Sequence, residues 1–127
     1  MSDTIKVFVV VEDEADMRVV IRATLERDPR LRLVGEASSA DQALALVDDV
    51  DPGLIVLDHS IEGELMGLQA APLLKERAPA AKILLFTAYD MRAEARDEPA
   101  IDAFLRKDQL TDLLPTALRL LDLPSAA

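Results

Sequence analysis

The chain reads as an α/β protein with a doubly wound parallel sheet of five strands, and three observations carry that reading. Five short apolar runs recur along the 127 residues. They are close to continuous instead of alternating, the pattern of strands covered on both faces. The segments between them repeat their apolar residues at helical spacing. Strands and helices in regular alternation make βα units with parallel pairing and right-handed crossovers.

Residues 5–11 form the first strand. From Asp16 to about residue 27, Met17, Val20, Ile21 and Leu25 mark one helix face, and Asp28-Pro29 ends the helix. Residues 31–37 are a second strand whose charged, alternating start suits a sheet edge. Ser39 with Gln42 fits a capping box opening the second helix, with Ala43, Leu44 and Val47 facing inward. Asp51-Pro52-Gly53 turns the chain into the third and most apolar strand, residues 54–58. A glycine-containing loop over 59–67 leads to a third helix that ends near Arg77 and accommodates Pro72 only in its first turn. Residues 82–87 are the fourth strand. The fourth helix, between 88 and 100, has few large apolar residues and meets Pro99, so it is expected to be atypically short, frayed or displaced. Residues 104–107 make the fifth strand. Residues 111 to about 123 make the last helix, with Pro115 near its first turn.

One domain spanning residues 1–127 is expected at this length. Half of the chain is apolar, and with three Phe, one Tyr and no Trp the core must be built from Leu, Val, Ile and Ala. The absence of cysteine excludes disulfides, thiolate metal sites and cysteine nucleophiles. Met1-Ser2-Asp3-Thr4 has no basic region and no run approaches a membrane span, so a cytoplasmic location without membrane contact is expected. The 14 basic and 24 acidic residues leave a net charge of −10, which argues against nucleic-acid binding by this chain alone.

The candidate functional residues sit at the ends of the runs. Glu12 and Asp13 follow the first, Asp58 closes the third, Thr87 the fourth and Lys107 the fifth. Open parallel sheets gather ligands at the carboxyl ends of their strands, so these side chains converge from distant parts of the chain. Three carboxylates, a lysine and a hydroxyl suit a divalent cation and a phosphoryl group. Singly, each has a plainer role: an acid at a strand end commonly caps a helix, and a lone threonine or lysine is commonly a strand or surface residue. His59, the only histidine, follows Asp58 and points the other way along a strand, so it is read as structural or surface.

This set, in this order, resembles the receiver domains of bacterial two-component response regulators over nearly the whole chain. Val11-Glu12-Asp13-Glu14, Val34-Gly35-Glu36-Ala37-Ser38 and Phe104-Leu105-Arg106-Lys107-Asp108 are similar to the subgroup that often carries a helix-turn-helix output domain. The resemblance implies a flavodoxin-like sheet of order 2-1-3-4-5 and a signalling switch, not a turnover enzyme. Asp58 would accept a phosphoryl group from a sensor histidine kinase or a histidine phosphotransfer protein. Mg2+, or Mn2+, would offset the repulsion between an anionic donor and the acidic pocket. Asp13 and Asp58 would ligate it directly, Glu12 directly or through water, and the backbone carbonyl of Ser60 would complete the protein ligands. Lys107 would neutralise charge on the phosphoryl oxygens, Thr87 would hydrogen-bond one of them, and small Ala88 would leave room beside them. Phe104 takes the place of the aromatic switch residue. By the same resemblance, Ser60 and Tyr89 would flank the path of attacking water and so tune the lifetime of the phosphoryl group, with Tyr89 as a screen that lengthens it.

The pattern also departs from the family. Glu62 stands where receivers usually have proline, the loop before Gly67 is slightly long, and the stretch between Thr87 and Phe104 is slightly short. Glu62 adds a carboxylate near the site that could help hold metal or repel the donor, and it is expected to point to solvent. The shortened stretch, with its atypical fourth helix, touches the output face and not the chemistry, and keeps a second reading open: an unphosphorylated receiver-like interaction module. A small phosphohydrolase would need a substrate cap, for which no segment is long enough. A flavodoxin-like cofactor binder would need a Ser/Thr/Gly-rich phosphate loop after the first strand. In the last helix Leu110, Leu113, Leu114, Ala117, Leu118, Leu120 and Leu121 cover an arc of about 160°. That arc is either a broad core stripe or leaves Leu113, Leu118 and Leu120 partly exposed on its flanks, available for a homodimer or another partner.

Overall fold

The computed structural model describes residues 5–125; the expectations on Met1 to Thr4 and on Ala126-Ala127 lie outside the described residues. Five strands, β1 (Lys6–Val11), β2 (Leu31–Ala37), β3 (Leu54–Leu57), β4 (Lys82–Thr87) and β5 (Ala103–Arg106), form one sheet. Its order is β2-β1-β3-β4-β5 and every pair is parallel. The charged second strand is an edge, as its pattern suggests. The apolar runs split by alternation between two cores. Val9, Val11, Ile55, Leu57, Ile83 and Leu85 face α2 (Ala40–Asp49), α3 (Gly67–Arg77) and α4 (Arg92–Arg96). Phe8, Val10, Leu54, Val56, Leu84 and Phe86 face α1 (Ala15–Leu25) and α5 (Leu113–Leu120). Both faces are covered, which is why β1, β3 and β4 are close to continuously apolar.

The capping signal at α2 is real but skewed. Ser39 Oγ accepts the Gln42 N–H at 3.2 Å, while Gln42 Oε1 accepts the N–H of Ser38, one residue before the cap, at 2.8 Å. Helix α4 is five residues long, as its composition predicts, and buries only Ala95.

Two expectations need correction. Pro72 is not in the first turn of α3 but at its sixth residue, exposed. The helix forgoes one backbone hydrogen bond there and persists because Gly67, Ala70, Ala71 and Leu74 are buried along its inner face. The last helix does not start at 111: Lys107–Asp112 is a 3-10 helix, and α5 begins at Leu113. An arc computed at α-helical spacing from Leu110 therefore does not apply. Of the residues in that arc, Leu113, Ala117 and Leu118 are buried, and Leu110, Leu114, Leu120 and Leu121 are half-exposed. The reason is that α5 packs against both β5 and α1, so the helix loses both flanks to the core.

At the amino end of the sheet the carboxylate of Asp28, itself buried, receives the Arg30 guanidinium at 3.0 and 2.7 Å and the Arg30 N–H at 3.0 Å. The same guanidinium donates to the Pro124 carbonyl at 2.7 Å. Helix α5 closes in a Schellman motif, with Leu123 N–H on the Leu118 carbonyl at 2.9 Å, Asp122 N–H on the Arg119 carbonyl at 3.2 Å, and Asp122 at φ 56°.

Candidate functional site

The opposite, carboxyl end of the sheet gathers the predicted residues. The β1–β3 ladder runs one residue beyond the strands, with the Asp58 N–H on the Val11 carbonyl at 2.9 Å, so Glu12 and Asp58 leave neighbouring strands side by side. One carboxylate oxygen each from Glu12, Asp13 and Asp58 lie within 4.8 Å of one another. Glu12 and Asp58 are buried, 0% and 4% exposed, and Asp13 is open to solvent. Lys107, the first residue after β5, enters from the far side. Its Nζ stands 2.6 Å from Glu12 Oε1 and 2.9 Å from Asp58 Oδ2. The contact with Asp58 is aligned as a hydrogen bond; the one with Glu12 is close in distance but poorly aimed. Glu12 Oε2 accepts the Glu14 N–H at 3.0 Å.

One ammonium thus serves two buried carboxylates, and the electrostatics record the imbalance. Burial pushes the Glu12 carboxyl up to about 7 against the downward pull of Lys107 and the Glu14 N–H, with the Asp58 charge adding to the rise. Burial alone would lower Lys107, but its contacts with Glu12 and Asp58 outweigh that and hold it above the ordinary lysine value.

Thr87, at the end of β4, is fully buried, and its Oγ1 has no hydrogen-bond partner among the described residues. A buried hydroxyl left unpaired is costly, so a ligand that supplies an acceptor would relieve it. The donor set of hard carboxylate oxygens, together with that orphaned hydroxyl, fits a divalent cation of the Mg2+ type beside an anionic group. Ser60 is half-buried, and its N–H reaches Asp58 Oδ1 at 3.4 Å. Ala88 and Tyr89 are exposed, Tyr89 at 58%. Phe104 is half-buried against the α2–α4 core, with Arg92 and Arg96 bordering the groove beside it.

Glu62 does not join the cluster. Its Oε2 accepts the Ser38 hydroxyl at 3.0 Å and its N–H donates to the Ser38 carbonyl at 2.9 Å, tying the loop after β3 to the start of α2. His59 is structural, and more specifically so than sequence reasoning reaches. Its Nδ1 accepts the Leu68 N–H at 3.2 Å and its carbonyl accepts the Gly67 N–H at 2.8 Å. The available signal was Met66, which stands at the N-cap of α3 without a side-chain acceptor.

Among curated proteins the chain is similar to the nitrate/nitrite response regulator NarP of Escherichia coli K12, 30% identical over 112 residues that cover 87% of this chain and 52% of that protein. It is similar to NarL of the same strain at 27% over 111 residues, covering 86% and 51%. The chain therefore spans about half the length of these relatives. A solved LuxR-family two-component response regulator from Aurantimonas sp. SI85-9A1 shares the fold with a TM-score of 0.85 at 24% identity, covering 94% of this chain and 86% of that one. A family model, the response regulator receiver domain, matches residues 8–119. With this fold, these strand-end residues and that match across most of its length, the chain belongs to the response regulator receiver domains of two-component signalling.

Proposed function

We propose that this receiver takes a phosphoryl group on Asp58 and changes its partner or dimer contacts in response. The observation that carries the reading is the clustering of the Glu12, Asp13 and Asp58 carboxylates, with Lys107 on Glu12 and Asp58, beside a buried threonine hydroxyl without a partner among the described residues. The donor is a phosphohistidine of a sensor histidine kinase or a histidine phosphotransfer protein. An Asp58 carboxylate oxygen attacks phosphorus, the donor's N–P bond breaks, the imidazole leaves with the electron pair, and an acyl phosphate results. Glu12, Asp13, Asp58 and the Ser60 carbonyl would hold Mg2+ or Mn2+, Glu12 directly or through water; the bound cation supplies neutralising charge for an anionic donor in an acidic pocket. The Lys107 ammonium, already on Asp58, follows the developing charge onto the phosphoryl oxygens. Thr87 donates its hydroxyl to one of those oxygens, and Ala88 leaves space beside them. Phe104 responds by changing its depth in the groove at β5.

The chain acts as one domain in the cytoplasm, as a switch without turnover, and makes no direct nucleic-acid contact. Homodimerisation through the last helix rests on Leu114 and Leu120, since Leu113 and Leu118 belong to the core. Intact mass after incubation with acetyl phosphate and Mg2+ tests the reading: the wild type gains one phosphoryl group and Asp58→Asn gains none. An unlabelled wild type, or a labelled Asn variant, overturns it. The alternative of an unphosphorylated interaction module offers no reason for the unpaired Thr87 hydroxyl.

A further inference from the structure

Helix α3 begins directly on the peptide that carries Asp58. A Cβ at Gly67 would overlap the Asp58 carbonyl oxygen, so only glycine permits this seat. A helix start leaves several N–H groups without intrahelical partners, and they are usually met by a side chain at the N-cap. Met66 occupies that position and offers none. Two of the orphan donors go instead to one residue eight and nine positions back: Gly67 N–H to the His59 carbonyl at 2.8 Å, and Leu68 N–H to His59 Nδ1 at 3.2 Å. An imidazole that accepts at Nδ1 carries its proton on Nε2.

We propose that His59 is a positioning residue for the phosphoryl-acceptor site. By capping α3 from the position next to Asp58, it fixes the backbone of residues 58–60 at the height where the Asp58 carboxylate meets Lys107 and lies within reach of Glu12 and Asp13. The Asp58 N–H on the Val11 carbonyl at 2.9 Å anchors residue 58 to β1; past it, the other restraints on residues 59 and 60 are weaker or more distant. The Ser60 N–H reaches Asp58 Oδ1 only at 3.4 Å, and the Glu62–Ser38 latch acts further along the loop. Without the Nδ1 acceptor, the Leu68 N–H loses its partner and the start of α3 can lift from the Asp58 peptide. The carboxylates then no longer converge on one cation. This role rests on the reading of Asp58 as acceptor, and it concerns a hydrogen-bond acceptor at one defined place, not bulk or charge.

Two substitutions in the 127-residue chain separate those possibilities. His59→Leu keeps volume and removes the acceptor; His59→Asn places Oδ1 where Nδ1 stands. Three readouts are compared with the wild type: hydrogen exchange of the Leu68 amide, Mg2+ affinity followed by amide shifts at residues 12, 13 and 58, and phosphorylation rate with acetyl phosphate. For His59→Leu, Leu68 exchange is expected to rise about tenfold or more, with Mg2+ affinity and phosphorylation rate each falling about fivefold to tenfold. His59→Asn is expected to restore all three to within about twofold. The role is overturned if the Leu variant holds Mg2+ and phosphorylates like the wild type, or if a folded Asn variant fails as badly as Leu. If the Leu variant does not fold, the Asn variant and wild-type protection of Leu68 decide the matter. Protection with full Asn activity supports the role, and an unprotected Leu68 amide overturns it. A wild type that takes no phosphoryl group overturns the proposed function instead, and Mg2+ affinity and Leu68 exchange then judge His59 alone.

Discussion

Two buried carboxylates stand at opposite ends of the sheet and are treated in opposite ways. Asp28, at the amino end, meets a planar guanidinium in two-point contact, and Arg30 holds its carboxyl below the ordinary value of 3.8. Glu12, at the carboxyl end, shares one ammonium with Asp58 and is pushed up to about 7, chiefly by burial. The first site is complete in itself and ties down local structure. The second is short of positive charge and also holds an unpaired Thr87 hydroxyl. A stable fold has little use for such a deficit, whereas a site that must take up a cation and an anionic group needs it.

The sharpest way to break the comparison is to remove the shared ammonium. Lys107→Met is expected to slow phosphorylation by acetyl phosphate by about 10²-fold while the chain stays folded; a rate within about threefold of wild type would place the charge elsewhere. Next comes the structural site. Asp28→Asn is expected to lower stability by about 2 kcal/mol at neutral pH in urea titration, with phosphorylation unaffected. The sign with pH follows from its depressed value: the Asp28 contribution is present above 3.8 and is lost as pH falls through the lower folded value. The gap between wild type and Asp28→Asn should therefore close in acid.

Glu12 runs the other way. Its folded value is raised, so the stability linked to it is full below 4.5 and is lost as pH rises through about 7. Without Mg2+, Glu12→Gln should flatten that slope. Wild-type Mg2+ affinity should rise about tenfold between about pH 6 and about pH 8, as the carboxylate gives up its proton, and the Gln variant should lose most of that dependence. A flat wild-type titration would show that Glu12 is already ionised. The smallest effect belongs to Tyr89. The residue is 58% exposed, so any screening by it would be partial, and Tyr89→Glu is expected to shorten the phosphoryl lifetime by only about twofold to threefold. An unchanged or longer lifetime would end its role as a screen.

The sheet was legible because both of its faces are buried: unbroken runs such as Leu54-Ile55-Val56-Leu57 have few other destinations. Glu12, Asp13, Asp58 and Lys107 were legible as a group because parallel strands deliver their following residues to one edge. What stayed hidden depends on contacts that carry no periodicity. The His59 imidazole serves an amide nine residues on, which no spacing rule anticipates. The Asp28–Arg30 pairing lies within a segment that reads only as a helix stop. The burial of Leu113 and Leu118 follows from a 3-10 turn that resets the phase of α5 and from the neighbouring helix α1, and neither is written in the leucine pattern.

The seat of α3 on the Asp58 peptide has a mechanical side. The helix is a rod of eleven residues, about 16 Å long at about 1.5 Å per residue. Its first residue, Gly67, admits no side chain at the seat, and its last, Arg77, grips α2 through Asp48 at 2.9 Å and the Leu44 carbonyl at 3.3 Å. A tilt of about one degree at that fulcrum moves Arg77 by about 0.3 Å. The Asp58 peptide and the outer helix layer are thus geared together, and any strain at the buried end is delivered to the solvent-facing end as travel.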